Sequence, residues 1–95
     1  MIIVRDVFHA KYGKGGELVA LLKEANQELP HGYRSILTDA SGPFFTVVAE
    51  MQVANLAEWE KLIGEIFSNP EFGKWFARME PLVRSGQREF YNVEM

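Results

Sequence analysis

The feature that most narrows what this chain can fold into is a repeated pattern. Strand, amphipathic helix, strand occurs twice within 95 residues. The first unit runs from Ile2 to Thr38 and the second from Phe44 to Asn92, and Asp39-Ala40-Ser41-Gly42-Pro43 forms the turn between them. Two such units predict a single domain over residues 1–95, built as one four-stranded sheet. Right-handed crossovers place the helices on one face of that sheet. The other face then lacks a cover, and a domain of this size buries only roughly 60–65% of its unfolded surface, so self-association is favoured.

Local signals place the elements. Ile2 to Ala10 is rich in β-branched residues and stops at Tyr12-Gly13-Lys14-Gly15-Gly16, which reads as a strand and a turn. Leu18, Leu21, Leu22, Ala25 and Leu29 then recur at helical spacing, and Pro30 and Gly32 supply the stop. Tyr33 to Thr38 is expected as a short strand. Phe44 to Val53 is expected as the third, with Phe45, Val47, Ala49, Met51 and Val53 on an apolar face under the helices. Phe44, Thr46, Val48, Glu50 and Gln52 fall on a mixed face. Asn55 and Glu58 form a variant capping box ahead of Trp59, Leu62, Ile63, Ile66 and Phe67. Ser68-Asn69-Pro70 breaks this helix, and Asn69 caps a second piece carrying Phe72, Trp75, Phe76 and Met79. Val83 to Asn92 is the last strand, where Gly86 signals a bulge or a close backbone approach.

The order βαββαβ is the ferredoxin-like pattern of the α+β class, with the first and third strands as antiparallel neighbours at the centre. Setting Arg5 opposite Glu50 places His9 opposite Thr46. Ile3, Arg5, Val7 and His9 then join the mixed face, and Ile2, Val4, Phe8 and Ala10 lie under the helices. Asp6 is the misfit in that register, and the alternative, a slip by one residue, exchanges the two sets.

Composition removes several function classes. The hydrophobic fraction of 47% is ample for a core. There are no cysteines, which excludes disulfides and thiolate metal sites and fits a cytoplasmic protein. The net charge of -3, with no basic run, argues against nucleic acid. No apolar stretch approaches the roughly 18 residues of a membrane span. The two histidines, His9 and His31, sit in no HxH or HExxH spacing, so no metal is expected. Gly13-Lys14-Gly15-Gly16 lacks the later glycine of a dinucleotide loop, whose place is taken by Leu18, and it does not match the Walker pattern.

Two candidate groups remain. His9 with Glu50 is the pair suited to proton transfer near neutral pH, against a structural reading as an ion-pair network at an interface. Trp59, Phe67, Phe72, Trp75 and Phe76 are either core or the wall of a pocket for a flat apolar ligand.

Phe8-His9-Ala10-Lys11-Tyr12-Gly13-Lys14, Trp59, Ser68-Asn69-Pro70-Glu71-Phe72 through Trp75, Leu82-Val83-Arg84-Ser85-Gly86 and Glu89-Phe90-Tyr91 occur in an order and spacing that covers nearly the whole chain. In these stretches the chain resembles the dimeric α+β barrel superfamily, in particular its NIPSNAP-type and antibiotic-biosynthesis-monooxygenase-type domains. The resemblance implies a homodimer with two sheets packed face to face. It also implies a small-molecule site between sheet and helices or in the barrel lumen. Haem-degrading members use an Asn on the first strand, a Trp on the second helix and a His further along it. Here Trp59 can match the Trp, but Met1 to Lys11 holds no Asn and Phe72 to Met79 no His, so haem degradation is not implied.

Three functions are therefore expected in order. The first is a homodimer that binds a small apolar or aromatic molecule without a cofactor, through Arg5, His9, Glu50, Trp59, Trp75 and Phe76. The second is a cofactor-independent monooxygenase or isomerase with His9 as its proton-transfer group and Arg5 orienting an anionic group. The third is a structural oligomerisation module.

Overall fold

A computed structural model describes residues 1–29 and 32–95. Pro30 and His31, read above as part of a helix stop and a loop histidine, lie outside the described residues. The elements are β1 (Ile2–Ala10), α1 (Gly15–Asn26), β2 (Ser35–Thr38), β3 (Thr46–Val53), α2 (Leu56–Ser68), α3 (Pro70–Met79), a short 3-10 turn (Glu80–Leu82) and β4 (Val83–Asn92). The sheet order is β2-β3-β1-β4 and every pair is antiparallel. This is the expected ferredoxin-like α+β fold. Among the described residues no helix is long and apolar enough to cross a membrane.

The register inferred from charge pairing is the one observed: Arg5 faces Glu50 and His9 faces Thr46. It sends the apolar side of β1 and β3 beneath the helices. Ala10, Val47 and Ala49 pack there against Leu18 and Leu22 of α1, both fully buried. Val4, Met51 and Val53 pack against Trp59 of α2. Each large side chain so enclosed stabilises the fold by about 1.5–3 kcal/mol, so these two clusters hold the helix layer on the sheet.

The helix breaks where the sequence places it. Asn69 is extended (φ -80°, ψ 122°), and its side chain accepts a hydrogen bond from the Glu71 N–H at 3.0 Å, with Pro70 opening α3. Asn55 caps α2 by accepting from the Glu58 N–H at 2.9 Å. The Glu58 carboxylate reaches back to the Ala54 N–H at 2.7 Å, one residue before the cap.

Four boundaries differ from expectation. Helix α1 ends at Asn26, so Leu29 packs on the Trp59 cluster from outside the helix. The Asn26 side chain accepts a hydrogen bond from the Tyr33 N–H, which uses up that backbone donor, and β2 starts only at Ser35. Strand β3 starts at Thr46 because Phe45 adopts a left-handed conformation, φ 59°. That turns Phe44 out to solvent and folds the Phe45 ring over Gly15, where a Cβ would meet it at 3.2 Å. The bulge in β4 lies at Arg84, between Val83 opposite Ala10 and Ser85 opposite His9. Gly86 is instead the close approach: a Cβ there would sit 3.1 Å from the Val7 carbonyl oxygen.

The molecule measures 35 × 35 × 20 Å, two layers thick. Among the described residues no element covers the face of the sheet away from the helices. Arg5 lies there between Glu50 and Glu89, at 3.7 Å from each. The Ser35 hydroxyl donates to Glu50 at 2.9 Å. Around this network Leu37 is 42% and Tyr91 49% exposed.

Candidate functional site

The helix break opens a cleft. Helix α2 packs Trp59 on Val4, Met51 and Val53 and α3 lies against α1, leaving a cavity of about 470 Å³ between the helices and the sheet. That volume is within the range of small-molecule sites, roughly 300–1,000 Å³. Its walls are aromatic. Phe72 stacks on Trp75 at a centroid separation of 6.2 Å and contacts Phe76 at 5.9 Å. Trp59, with Ile63 and Met51, forms the side nearest the sheet.

Two contacts, one turn apart, hold α3 over this space. The Trp75 indole N–H donates to the Leu21 carbonyl of α1 at 3.0 Å. The Arg78 guanidinium donates to both oxygens of Glu24 at 2.7 and 2.9 Å. Residues 21 and 24, like 75 and 78, are three apart, so both contacts fall on facing helix surfaces. The hydrogen bonds to Arg78, reinforced by its charge, hold the Glu24 carboxyl below its ordinary range, and those to Glu24 raise the guanidinium.

The polar end lies on the sheet. The Asp6 carboxylate accepts from Arg88 Nε at 2.6 Å and from a second guanidinium nitrogen at 3.4 Å. The Arg88 guanidinium carbon stands 4.8 Å from the Trp59 ring centroid, a cation–π geometry. Tyr33 completes this corner. Burial, with the Asp6 charge adding and Arg88 opposing, pushes its phenol up to about 12. It is therefore a protonated hydrogen-bond donor at neutral pH.

The structure divides the residues singled out from sequence between the two sheet faces. Trp59, Trp75 and Phe76 line the cavity. Arg5, His9 and Glu50 project from the opposite side, as alternation along β1 and β3 requires. His9 pairs with Thr46 and Ser85, four residues along the strand from the Glu50 position. Arg5 Nε is enclosed without a hydrogen bond, the one such side-chain atom among the described residues. Asp6, Arg88 and Tyr33 were not anticipated. The signal for them was the Asp6 misfit itself, since a carboxylate on an apolar face needs a cation nearby. The partner is on β4, beyond the bulge that sets which residues of that strand face the helices. Among the described residues no group of three His, Cys, Asp or Glu side chains is placed to hold a metal ion.

Comparison with known proteins bears on the fold. No family model matches the chain, and no curated protein matches it in sequence. Solved structures do. An uncharacterised NIPSNAP domain protein from Burkholderia xenovorans superposes with a TM-score of 0.88 at 14% identity, covering 98% of this chain and 94% of its own. A NIPSNAP family protein from Agrobacterium tumefaciens gives 0.85 at 15% identity, with 98% and 86% covered. An antibiotic biosynthesis monooxygenase gives 0.71 at 14% identity, with 98% of both chains covered. The chain thus has the ferredoxin-like fold of NIPSNAP-type and antibiotic-biosynthesis-monooxygenase-type domains.

Proposed function

We propose that the protein is a cytoplasmic homodimer that binds a small apolar or aromatic molecule in the cleft between its helices and its sheet, without a cofactor. The observation that carries this is the cavity of about 470 Å³ walled by Trp59, Phe72, Trp75 and Phe76. A core of this size has no packing need to leave such a space, because interiors are close-packed. The ligand reading is tested by tryptophan fluorescence during titration with a panel of flat aromatic compounds. A saturable change, lost in Trp59→Ala, is expected. No change for any compound refutes it.

A second copy is the proposed cover for the open sheet face. Its support is the two-layer thickness and the exposed Leu37 and Tyr91 beside the Arg5 network. Sedimentation at micromolar concentration is expected to give a dimer, and Leu37→Asp a monomer. A folded wild-type monomer refutes the assembly.

The likeness to an antibiotic biosynthesis monooxygenase favours a second reading, a cofactor-independent enzyme acting on an aromatic substrate. His9 serves that reading only in a lumen between two sheets, given the face on which it lies. Oxygen uptake with 1,4-naphthohydroquinone above the uncatalysed rate, lost in His9→Ala, is what it requires.

A further inference from the structure

Among the described residues every Lys and Arg in the wall of the cavity is already matched by a carboxylate in the same wall. Arg78 is held by Glu24, Lys74 by Glu71 at 3.3 Å, and Arg88 by Asp6. Glu28 adds a fourth carboxylate to the lining, and among the described residues no cation lies within ion-pair distance of it. Among the described residues the lining thus carries four carboxylates against three cations. We infer, resting on the ligand-binding reading above, that the cavity selects uncharged aromatic molecules over the corresponding carboxylic acids, and that Asp6 sets this preference by occupying Arg88.

Arg88 is the cation best placed to receive an acid, because it stands over Trp59 beside the aromatic wall. Its fork is engaged by both oxygens of Asp6. An incoming carboxylate has to displace a competitor that is tethered to the same sheet and pairs with Arg88 across the β1–β4 ladder. The displaced Asp6 side chain, only 20% exposed, would be left unpaired in the cavity wall. Stranding a partly buried charge is costly. An uncharged ligand meets neither obstacle. It slides against the aromatic wall, leaves the ion pair intact and can accept a hydrogen bond from the Tyr33 phenol at the same corner. A carbonyl or amide oxygen on a flat ring system is the group that suits this donor. Asp6 is thus a specificity-determining residue, acting on the ligand through Arg88.

The test compares two ligands of one shape, naphthalene-2-carboxamide and naphthalene-2-carboxylate, by isothermal titration calorimetry with the whole chain near neutral pH. Wild type is expected to bind the amide about tenfold more tightly or better, the scale of one hydrogen bond to a charged group. Asp6→Asn keeps the size and an acceptor but drops the charge. It is expected to tighten the acid by about tenfold and so to narrow the gap between acid and amide. Arg88→Met, which leaves Asp6 with no cation, is expected to weaken the acid further and serves if Asp6→Asn is unfolded by circular dichroism. An acid that binds wild type as tightly as the amide overturns the inference while leaving ligand binding in the cleft intact. So does an acid-to-amide ratio unmoved by Asp6→Asn, or an acid that tightens in Arg88→Met. If neither ligand binds, cleft binding and the selectivity fall together.

Discussion

Replacing Trp75 by Phe tests what keeps α3 over the cleft. The substitution removes one hydrogen bond, from the indole N–H to the Leu21 carbonyl at 3.0 Å. Leu21 lies inside α1, so its carbonyl keeps its partner four residues on in the helix and is not left unsatisfied. The cost is therefore the net value of a neutral bond, about 0.5–1.5 kcal/mol. The smaller ring also gives up contact with the Leu18–Leu22 cluster, against which Trp75 packs. This partial truncation adds roughly 0.5–1 kcal/mol, well below the 3–5 of a full Trp→Ala change. Together these give about 1–2.5 kcal/mol, and a domain of this size loses about 4–8 °C of Tm per kcal/mol, hence roughly 4–20 °C. Thermal unfolding by circular dichroism reads the loss. Amide hydrogen exchange locates it, with α3 expected to exchange faster while β1 and β3 keep their relative protection. An unchanged Tm together with unchanged exchange in α3 refutes the reasoning, since Trp75 then does not pin the helix.

Gly86→Ala sets two effects against each other. Removing a glycine from a strand gains about 0.5–1 kcal/mol, but the new Cβ lies 3.1 Å from the Val7 carbonyl oxygen. That oxygen belongs to a strand paired on both sides, so the overpacking cost of about 1–3 kcal/mol is expected to win, and a raised urea midpoint would show that β1 yields. Asn69→Ala is expected to lose about 1 kcal/mol through the lost cap of α3, read by urea denaturation against Asn69→Asp, which retains an acceptor; equal losses in both would discount the cap. Tyr33 gives a pH signature. Below its ordinary value of 10.0 the phenol is protonated in both states; between there and about 12 the unfolded chain ionises first. Stability is therefore expected to fall as pH rises through that window and to level off above it. Tyr33→Phe should flatten this limb, and an identical limb in the variant would assign it to other groups.

The parts of this fold legible in the sequence are those set by local chemistry. Charge pairing of Arg5 with Glu50 pointed to the central register that is observed, while Asp6 left a one-residue slip, which exchanges the two faces, as the alternative. Asn69-Pro70 marked the helix break through a cap and a missing N–H, both local effects. What stayed hidden depended on long-range placement. Phe44 and Phe45 read as strand, yet the packing of one ring over Gly15 holds Phe45 at positive φ. The candidate site was half legible for the same reason. Trp59, Trp75 and Phe76 announced an aromatic group, but the charged corner belongs to residues 6 and 88, which only the pairing of the two chain ends brings together.

The extra residue at Arg84 has a consequence for how this chain tolerates changes of length. Val83 and Arg88 are five apart, and in an unbroken strand they would point to opposite sides. The bulge puts both toward the helices, Val83 into the core and Arg88 onto Asp6. Deleting residue 84 removes the bulge yet keeps Val83 opposite Ala10 and Ser85 opposite His9, so every later side chain retains its side. A deletion two or three positions further on, with the bulge kept, has no such refuge. It would bring Glu89 to the place of Arg88, setting a second carboxylate against Asp6 beneath Trp59. Length variation among descendants of this sequence should therefore gather at position 84 and be absent from residues 86 to 88.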